Sequence, residues 1–162
     1  MILIALGANL PSFAGPPAAT LDEAIKDLAQ HGVDPVARSR FYVTPAWPDP
    51  QDPAFVNAVM QVETALTPEA LLARLHAIEA RFGRERSVRN GPRVLDLDIL
   101  DYNELTQVGP PTLPHPRMEQ RGFVLVPLAE VAPRWRHPVS GRSVADLIAD
   151  LSAADRDLPV LK

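Results

Sequence analysis

The chain has 162 residues, which suits one domain with its own core. Its 46% hydrophobic and 22% charged content is that of an ordinary globular protein, and a net charge of −4 gives the molecule no general pull toward nucleic acid or an anionic membrane. With no cysteine, disulfides and thiolate chemistry are excluded.

In chain order, Met1-Ile2-Leu3-Ile4-Ala5-Leu6 is too short to span a bilayer and lacks the basic flank and cleavage pattern of a signal peptide. It reads as a buried strand over residues 2–8, and the expected location is cytoplasmic. A loop with Pro11, Gly15, Pro16 and Pro17 follows. A helix capped near Thr20 carries the stripe Leu21, Ala24, Ile25, Leu28 and stops at His31-Gly32. Residues 36–43 read as a second strand. The run from Thr44 to Pro53 is too proline-rich for a sheet interior. Residues 54–63 alternate, with Phe55, Asn57, Val59 and Gln61 on one face, so they read as a third strand.

Thr67-Pro68-Glu69 starts a helix whose stripe is Leu71, Leu72, Leu75 and Ile78, ended by Phe82-Gly83. A polar loop spans 84–92, a strand spans 93–101, and residues 103–108 are expected to pair beside it. After the proline-rich stretch 109–116, short helices are predicted over 117–121 and 125–131. A final amphipathic helix is predicted over 143–151. No repeat, linker or second domain is visible, so residues 1–162 read as a single domain. The order strand–helix–strand–strand–helix–strand is ferredoxin-like. It predicts an α+β fold, an α-β-α sandwich with a mainly antiparallel sheet and helices on both faces.

The chemistry concentrates in Gly91-Pro92-Arg93-Val94-Leu95-Asp96-Leu97-Asp98-Ile99-Leu100. On a strand Leu95, Leu97 and Ile99 share one face, and Asp96 and Asp98 share the other. Two carboxylates side by side repel unless a cation lies between them. Mg²⁺ needs only one or two carboxylates when substrate phosphates complete its shell. The pattern alone also fits the solvated side of an amphipathic strand. Upstream, Arg81, Arg84, Arg86, Arg89 and Arg93 form a positive patch in an acidic chain, which implies an anionic ligand. Scattered surface ion pairs are the alternative.

Lysine occurs only at Lys26 and Lys162, so arginine, with its planar fork, must do the phosphate work. No Gly-x-x-x-x-Gly-Lys-[Ser/Thr] or Gly-x-Gly-x-x-Gly loop occurs, which excludes P-loop NTPases and protein kinases.

Two further constellations stand out. His115 lies in a loop pinned by Pro114 and Pro116, with Arg121 and Phe123 downstream. A lone histidine is more often structural, so this role stays open. Phe55 and Asn57 face together, and a ring plus an amide suits a planar heterocycle by stacking and edge hydrogen bonds. By pattern alone, a core ring and a strand-end amide is the simpler reading.

These residues resemble the 6-hydroxymethyl-7,8-dihydropterin pyrophosphokinases of folate biosynthesis. The matching pieces are Ala5-Leu6-Gly7-Ala8-Asn9-Leu10, Phe41-Tyr42-Val43-Thr44-Pro45, Phe55-Val56-Asn57-Ala58, Gly83-Arg84, Gly91 through Ile99, and Leu113-Pro114-His115 through Arg121-Gly122-Phe123. The Gly-Pro-Arg-x-Leu-Asp-Leu-Asp-Ile run is the specific one.

The resemblance implies an ATP-dependent diphosphokinase that moves pyrophosphate from ATP to the hydroxymethyl group of 6-hydroxymethyl-7,8-dihydropterin and releases AMP. It implies two Mg²⁺ ions on Asp96 and Asp98. Catalytic roles fall to Arg84, Arg93 and Asp98. ATP contacts fall to Glu79, Arg86, Ile99, Thr112, His115 and Arg121. The pterin would lie between Phe55 and Phe123, read by Asn57 with help near Thr44 and Pro45.

The resemblance also implies flexible loops at 9–17, 44–53 and 84–92, with Arg84 and Arg93 arriving on a closing loop. Its partners would be ATP and the pterin, with no nucleic acid or membrane, and the chain is expected to act as a monomer. Asn90 and Pro116 stand where the family often has tryptophan and tyrosine, which bears on loop closure and ATP affinity. The acceptor alcohol has no obvious base in the sequence. Two other readings remain at this stage: a Mg-dependent nucleotidyltransferase, and a non-catalytic ligand-binding domain of the same architecture.

Overall fold

β1 (Ile2–Ala8) and β4 (Phe55–Glu63) form the middle of a five-stranded antiparallel sheet in this computed structural model, which describes residues 1–46, 49–83 and 93–162. β5 (Asp96–Tyr102) is the edge beside β1. β2 (Asp34–Arg38) and β3 (Tyr42–Thr44) pair with successive halves of β4 on the other edge. The strand order is β2-β4-β1-β5, with β3 also on β4.

Helices cover both faces, and the alternation of each strand decides which side chains go where. On one face, Ile4, Leu6, Met60, Leu97 and Ile99 meet Leu21 and Leu28 of α1 (Pro17–Gln30) and Leu71, Leu75 and Ile78 of α2 (Pro68–Arg81). On the other, Leu3, Val59 and Leu100 meet Leu125 and Leu128 of α3 (Gly122–Val131), with Trp135 and with Leu147 of α4 (Val144–Ala149). The expected α-β-α sandwich is present. α2 starts as its sequence demands: Thr67 Oγ1 accepts from Ala70 N at 3.2 Å, with Pro68 in the first turn. α1 begins at Pro17, earlier than the expected cap at Thr20, because proline is pre-set for the first helical position.

Three expectations about strands need correction. The single strand over 36–43 is two strands. Arg40 N donates to the Glu130 carboxylate of α3, so the ladder breaks there, while Ser39 N bonds Val59 O at 2.9 Å. The carboxylate strand begins at Asp96, because Arg93 is tied to Asn9: Arg93 N donates to Asn9 Oδ1 at 2.7 Å, and Asn9 N to Arg93 O at 3.0 Å. Residues 103–108 form no strand. Asn103 and Glu104 take φ of 52° and 63°, which turns the chain off the sheet, and Gln107 makes one isolated bridge to Leu113.

The helices predicted over 117–121 and 125–131 are a short 3-10 turn (Met118–Gln120) and α3, which starts at Gly122. A one-turn helix, α5 (Ala153–Arg156), was not anticipated; it is too short to show a period. No helix among the described residues is long and apolar enough to cross a membrane.

Candidate active site

The α3 face of the sheet is only partly covered, and the gap is a cleft of about 640 Å³. Register places its floor. Gly7 of β1 lies opposite Asn57 of β4 on one side and Asp96 of β5 on the other; Ala5 lies between Val59 and Asp98 in the same way. Strands stand ~4.8 Å apart, so Asn57 and Asp96 are separated by about 10 Å across a bare glycine. A Cβ at Gly7 would sit 2.8 Å from Asn57 Oδ1. Small residues on the central strand therefore open the floor between an amide side and a carboxylate side.

On the amide side, Asn57 is 7% exposed and its Nδ2 donates to Thr44 Oγ1 at 2.8 Å. That bond orients the amide and leaves Oδ1 and the second Nδ2–H for a ligand. Phe55, Pro45 and Phe123 complete this end of the cleft. Phe123 is 37% exposed, a large ring left uncovered, and the Arg121 guanidinium sits 5.4 Å from its centroid.

On the carboxylate side, Asp96 and Asp98 line the cleft from the face opposite Leu97 and Ile99, as the alternation requires. Arg93 Nη1 pairs with Asp96 Oδ2 at 3.0 Å. The segment after β5 returns along the cleft, tied by His115 N to Leu100 O at 2.9 Å, and presents His115, Arg117, Gln120 and Arg121. Burial, then the charge of Arg121, pushes the His115 pKa down to about 4. Its Nδ1 accepts from Arg117 N at 3.2 Å, so the neutral ring carries its proton on Nε2. Burial likewise lowers the Arg121 pKa, opposed by Asp98 and Asp96. A guanidinium retains its charge with ample margin.

The cleft thus collects Thr44, Pro45, Phe55, Asn57, Arg93, Asp96, Asp98, His115, Arg121 and Phe123 from the sequence reading. It does not collect Glu79, Ile99 or Thr112. Glu79 projects from α2 beneath the opposite face, 1% exposed, and accepts from Leu97 N at 2.8 Å. Ile99 is 4% exposed in the α1–α2 core, and Thr112 Oγ1 accepts from Gly109 N at 3.2 Å in the proline-rich turn. Arg84, Arg86 and Asn90, with the loop 84–92, lie outside the described residues.

Arg117, Gln120 and Asp155 line the cleft unforeseen. Arg117 had a signal, its place two residues after His115; Asp155 had none. Among the described residues, no three His, Cys, Asp or Glu side chains form a ready-made metal cage. Two carboxylates on one strand face suit a cation that takes its remaining ligands from phosphate and water.

Comparison with known proteins bears on this geometry. The model of the 7,8-dihydro-6-hydroxymethylpterin-pyrophosphokinase (HPPK) family matches residues 3–133. The chain is 43% identical over 151 residues to a 2-amino-4-hydroxy-6-hydroxymethyldihydropteridine pyrophosphokinase of Methylorubrum extorquens, covering 91% of each. It is 40% identical over 148 residues to the protein of the same name from Synechocystis, covering 90% of this chain and 73% of that one. A Plasmodium falciparum HPPK-DHPS triple mutant, solved with pteroate, shares the fold at a TM-score of 0.68 and 13% identity. The match covers 90% of this chain but 42% of that longer one.

Proposed function

This chain belongs to the 7,8-dihydro-6-hydroxymethylpterin-pyrophosphokinase family, and from that premise we propose how its cleft performs the reaction. It transfers pyrophosphate from ATP to the hydroxymethyl group of 6-hydroxymethyl-7,8-dihydropterin in folate synthesis. The alcohol oxygen bonds to the β-phosphorus, the bond from that phosphorus to the α–β bridging oxygen breaks, and AMP departs with the bridging oxygen. The alcohol proton passes to solvent water.

The observation that carries the assignment of roles is the shared row Asn57–Gly7–Asp96. It sets an amide and a carboxylate on either side of Gly7 on one sheet, which supports a heterocycle end beside a phosphate end. Phe55 and Phe123 hold the pterin ring, and Asn57, fixed by Thr44, reads its edge with Oδ1; Pro45 closes the end. Asp96 and Asp98 would hold the divalent cation that accompanies ATP, two Mg²⁺ ions in the full complex, which would supply charge neutralisation and polarise the phosphoryl oxygens.

Arg93, anchored through Asp96 and Asn9, and Arg121 stabilise charge on the transferred group. Neutral His115 donates Nε2–H to a phosphate oxygen, adding a hydrogen bond without adding charge. Arg84 and Arg86 serve the same phosphates. Catalysis is chiefly alignment and electrostatics, so the reacting groups need no covalent intermediate. We place the chain in the cytoplasm as a single-domain monomer acting on small molecules.

The test supplies ATP, Mg²⁺ and the hydroxymethyl-dihydropterin and identifies the products. Pterin-dependent AMP is expected, and Asp98→Asn should lower kcat by about a hundredfold or more with the melting temperature kept. Pyrophosphate in place of AMP would move attack to the α-phosphorus and make the protein a nucleotidyltransferase. An active Asp98→Asn would remove the role given to that carboxylate.

A further inference from the structure

Residues 134–162 lie beyond the family match, yet the last part of this stretch grips both walls of the pocket assigned to the heterocycle. On one side, α5 meets the first residue of α3 backbone to backbone. A Cβ at Gly122 would lie 2.0 Å from the Asp155 carbonyl oxygen, so this approach requires glycine. Phe123 is the next residue, and Asp155 itself lines the cleft. The turn is closed by Ser152, whose Oγ donates to Asp155 Oδ2 at 3.0 Å and accepts from Asp155 N at 3.3 Å.

On the other side, Val43 N donates to Pro159 O at 2.9 Å, Leu161 N donates to Phe41 O at 2.8 Å, and Val160 bridges Tyr42. The tail thereby borders the outer edge of β3, the strand that ends in Thr44. Asn57 is oriented through Thr44 Oγ1.

We propose that residues 152–161 act as a clasp that positions the pterin pocket, setting the Phe123 wall against α5 and holding β3 so that Thr44 keeps Asn57 in its reading orientation. The clasp rests on the pterin-pocket reading above. Its effect falls mainly on the pterin side, because its main-chain bonds run to β3 and its close packing bears on Gly122 beside Phe123; of the phosphate-side groups it adjoins Arg121, the residue before Gly122, whereas Asp96 and Asp98 stand on β5 at the opposite edge of the sheet. These are positioning residues: they act through Phe123 and Asn57.

The experiment compares the unmodified chain, a chain cut after Leu151, the Gly122→Ala variant, and the two changes combined. Pterin KM is read beside the dissociation constant of a non-hydrolysable ATP analogue with Mg²⁺. The cut is expected to raise pterin KM about tenfold, the size of a 1.4 kcal/mol loss, with analogue affinity held within about twofold. Gly122→Ala should produce a similar rise in the full chain and none in the cut chain, where Asp155 no longer stands in the way.

Unchanged pterin KM in the folded cut chain overturns the proposal. So does an equal loss of both affinities, or a Gly122→Ala effect that persists without the tail. If the chain cut after Leu151 does not fold, a cut after Arg156, which keeps α5 and removes the β3 bonds, reads the same split. Failure of the underlying pocket reading looks different, because Asn57→Ala in the full-length chain would then leave pterin KM unchanged.

Discussion

At Gly7 the central strand passes between Asn57 and Asp96, and any side chain there would enter the cleft floor. Alanine would put a Cβ 2.8 Å from Asn57 Oδ1, closer than real contacts allow, and the amide would have to turn. Gly7→Ala should therefore raise pterin KM by about tenfold, the range of a lost hydrogen bond, with ATP-analogue affinity spared. Steady-state kinetics checks this, and an unchanged pterin KM would show that Asn57 does not read the ring. His115 yields a pH prediction. Its folded pKa is about 4, below the ordinary 6.5 of a histidine, because burial and then Arg121 disfavour the imidazolium. As pH falls between those values the unfolded chain binds a proton that the folded chain refuses, so stability drops across about pH 6.5 to 4. Urea unfolding at several pH values should show this slope, and His115→Gln should flatten it. The sequence marked His115 by its proline frame; its neutrality depends on burial and on Arg121, which the local run does not reveal.

Among the elements, α2 is the most self-sufficient at its start. Thr67→Ala removes the side-chain acceptor for Ala70 N and should cost about 1 kcal/mol in a urea titration, with substrate KM values unchanged. This helix and β4 were readable because period, cap and stop agree within one short run: Thr67-Pro68, the stripe through Ile78, and Gly83 at φ 90°. Elements shaped by distant partners were not. The break between β2 and β3 depends on Glu130, which takes Arg40 N, the Arg40 guanidinium at 2.8 Å and the Tyr42 hydroxyl at 2.7 Å. Glu130 lies far along the chain in α3, so nothing near Arg40 announces the interruption. The same holds for residues 93–95, which alternate like a strand but are claimed by Asn9, and for α5, whose single turn leans on Gly122.

For the whole molecule, the sandwich separates stability from chemistry. The α1–α2 core lies on the face away from the cleft, so Leu75→Ala, truncating a fully buried side chain there, should cost about 2–5 kcal/mol of stability and leave both KM values near those of the parent. Denaturant titration and kinetics on the same sample check both halves. The face of each candidate was legible from alternation: Asp96 with Asp98, Phe55 with Asn57. That these two pairs share one floor was not, because strand order is a property of the assembled sheet, and so the side taken by Glu79 was not legible either. On the roles proposed above, one cleft holds triphosphate and heterocycle on opposite sides of Gly7. The most direct measurement is a crystal structure with Mg²⁺, a non-hydrolysable ATP analogue and the hydroxymethyl-dihydropterin. The prediction is a cation between Asp96, Asp98 and the phosphates, with the ring between Phe55 and Phe123 and its edge on Asn57. Phosphates bound away from Asp96 and Asp98, or a ring that touches neither phenylalanine, would contradict it.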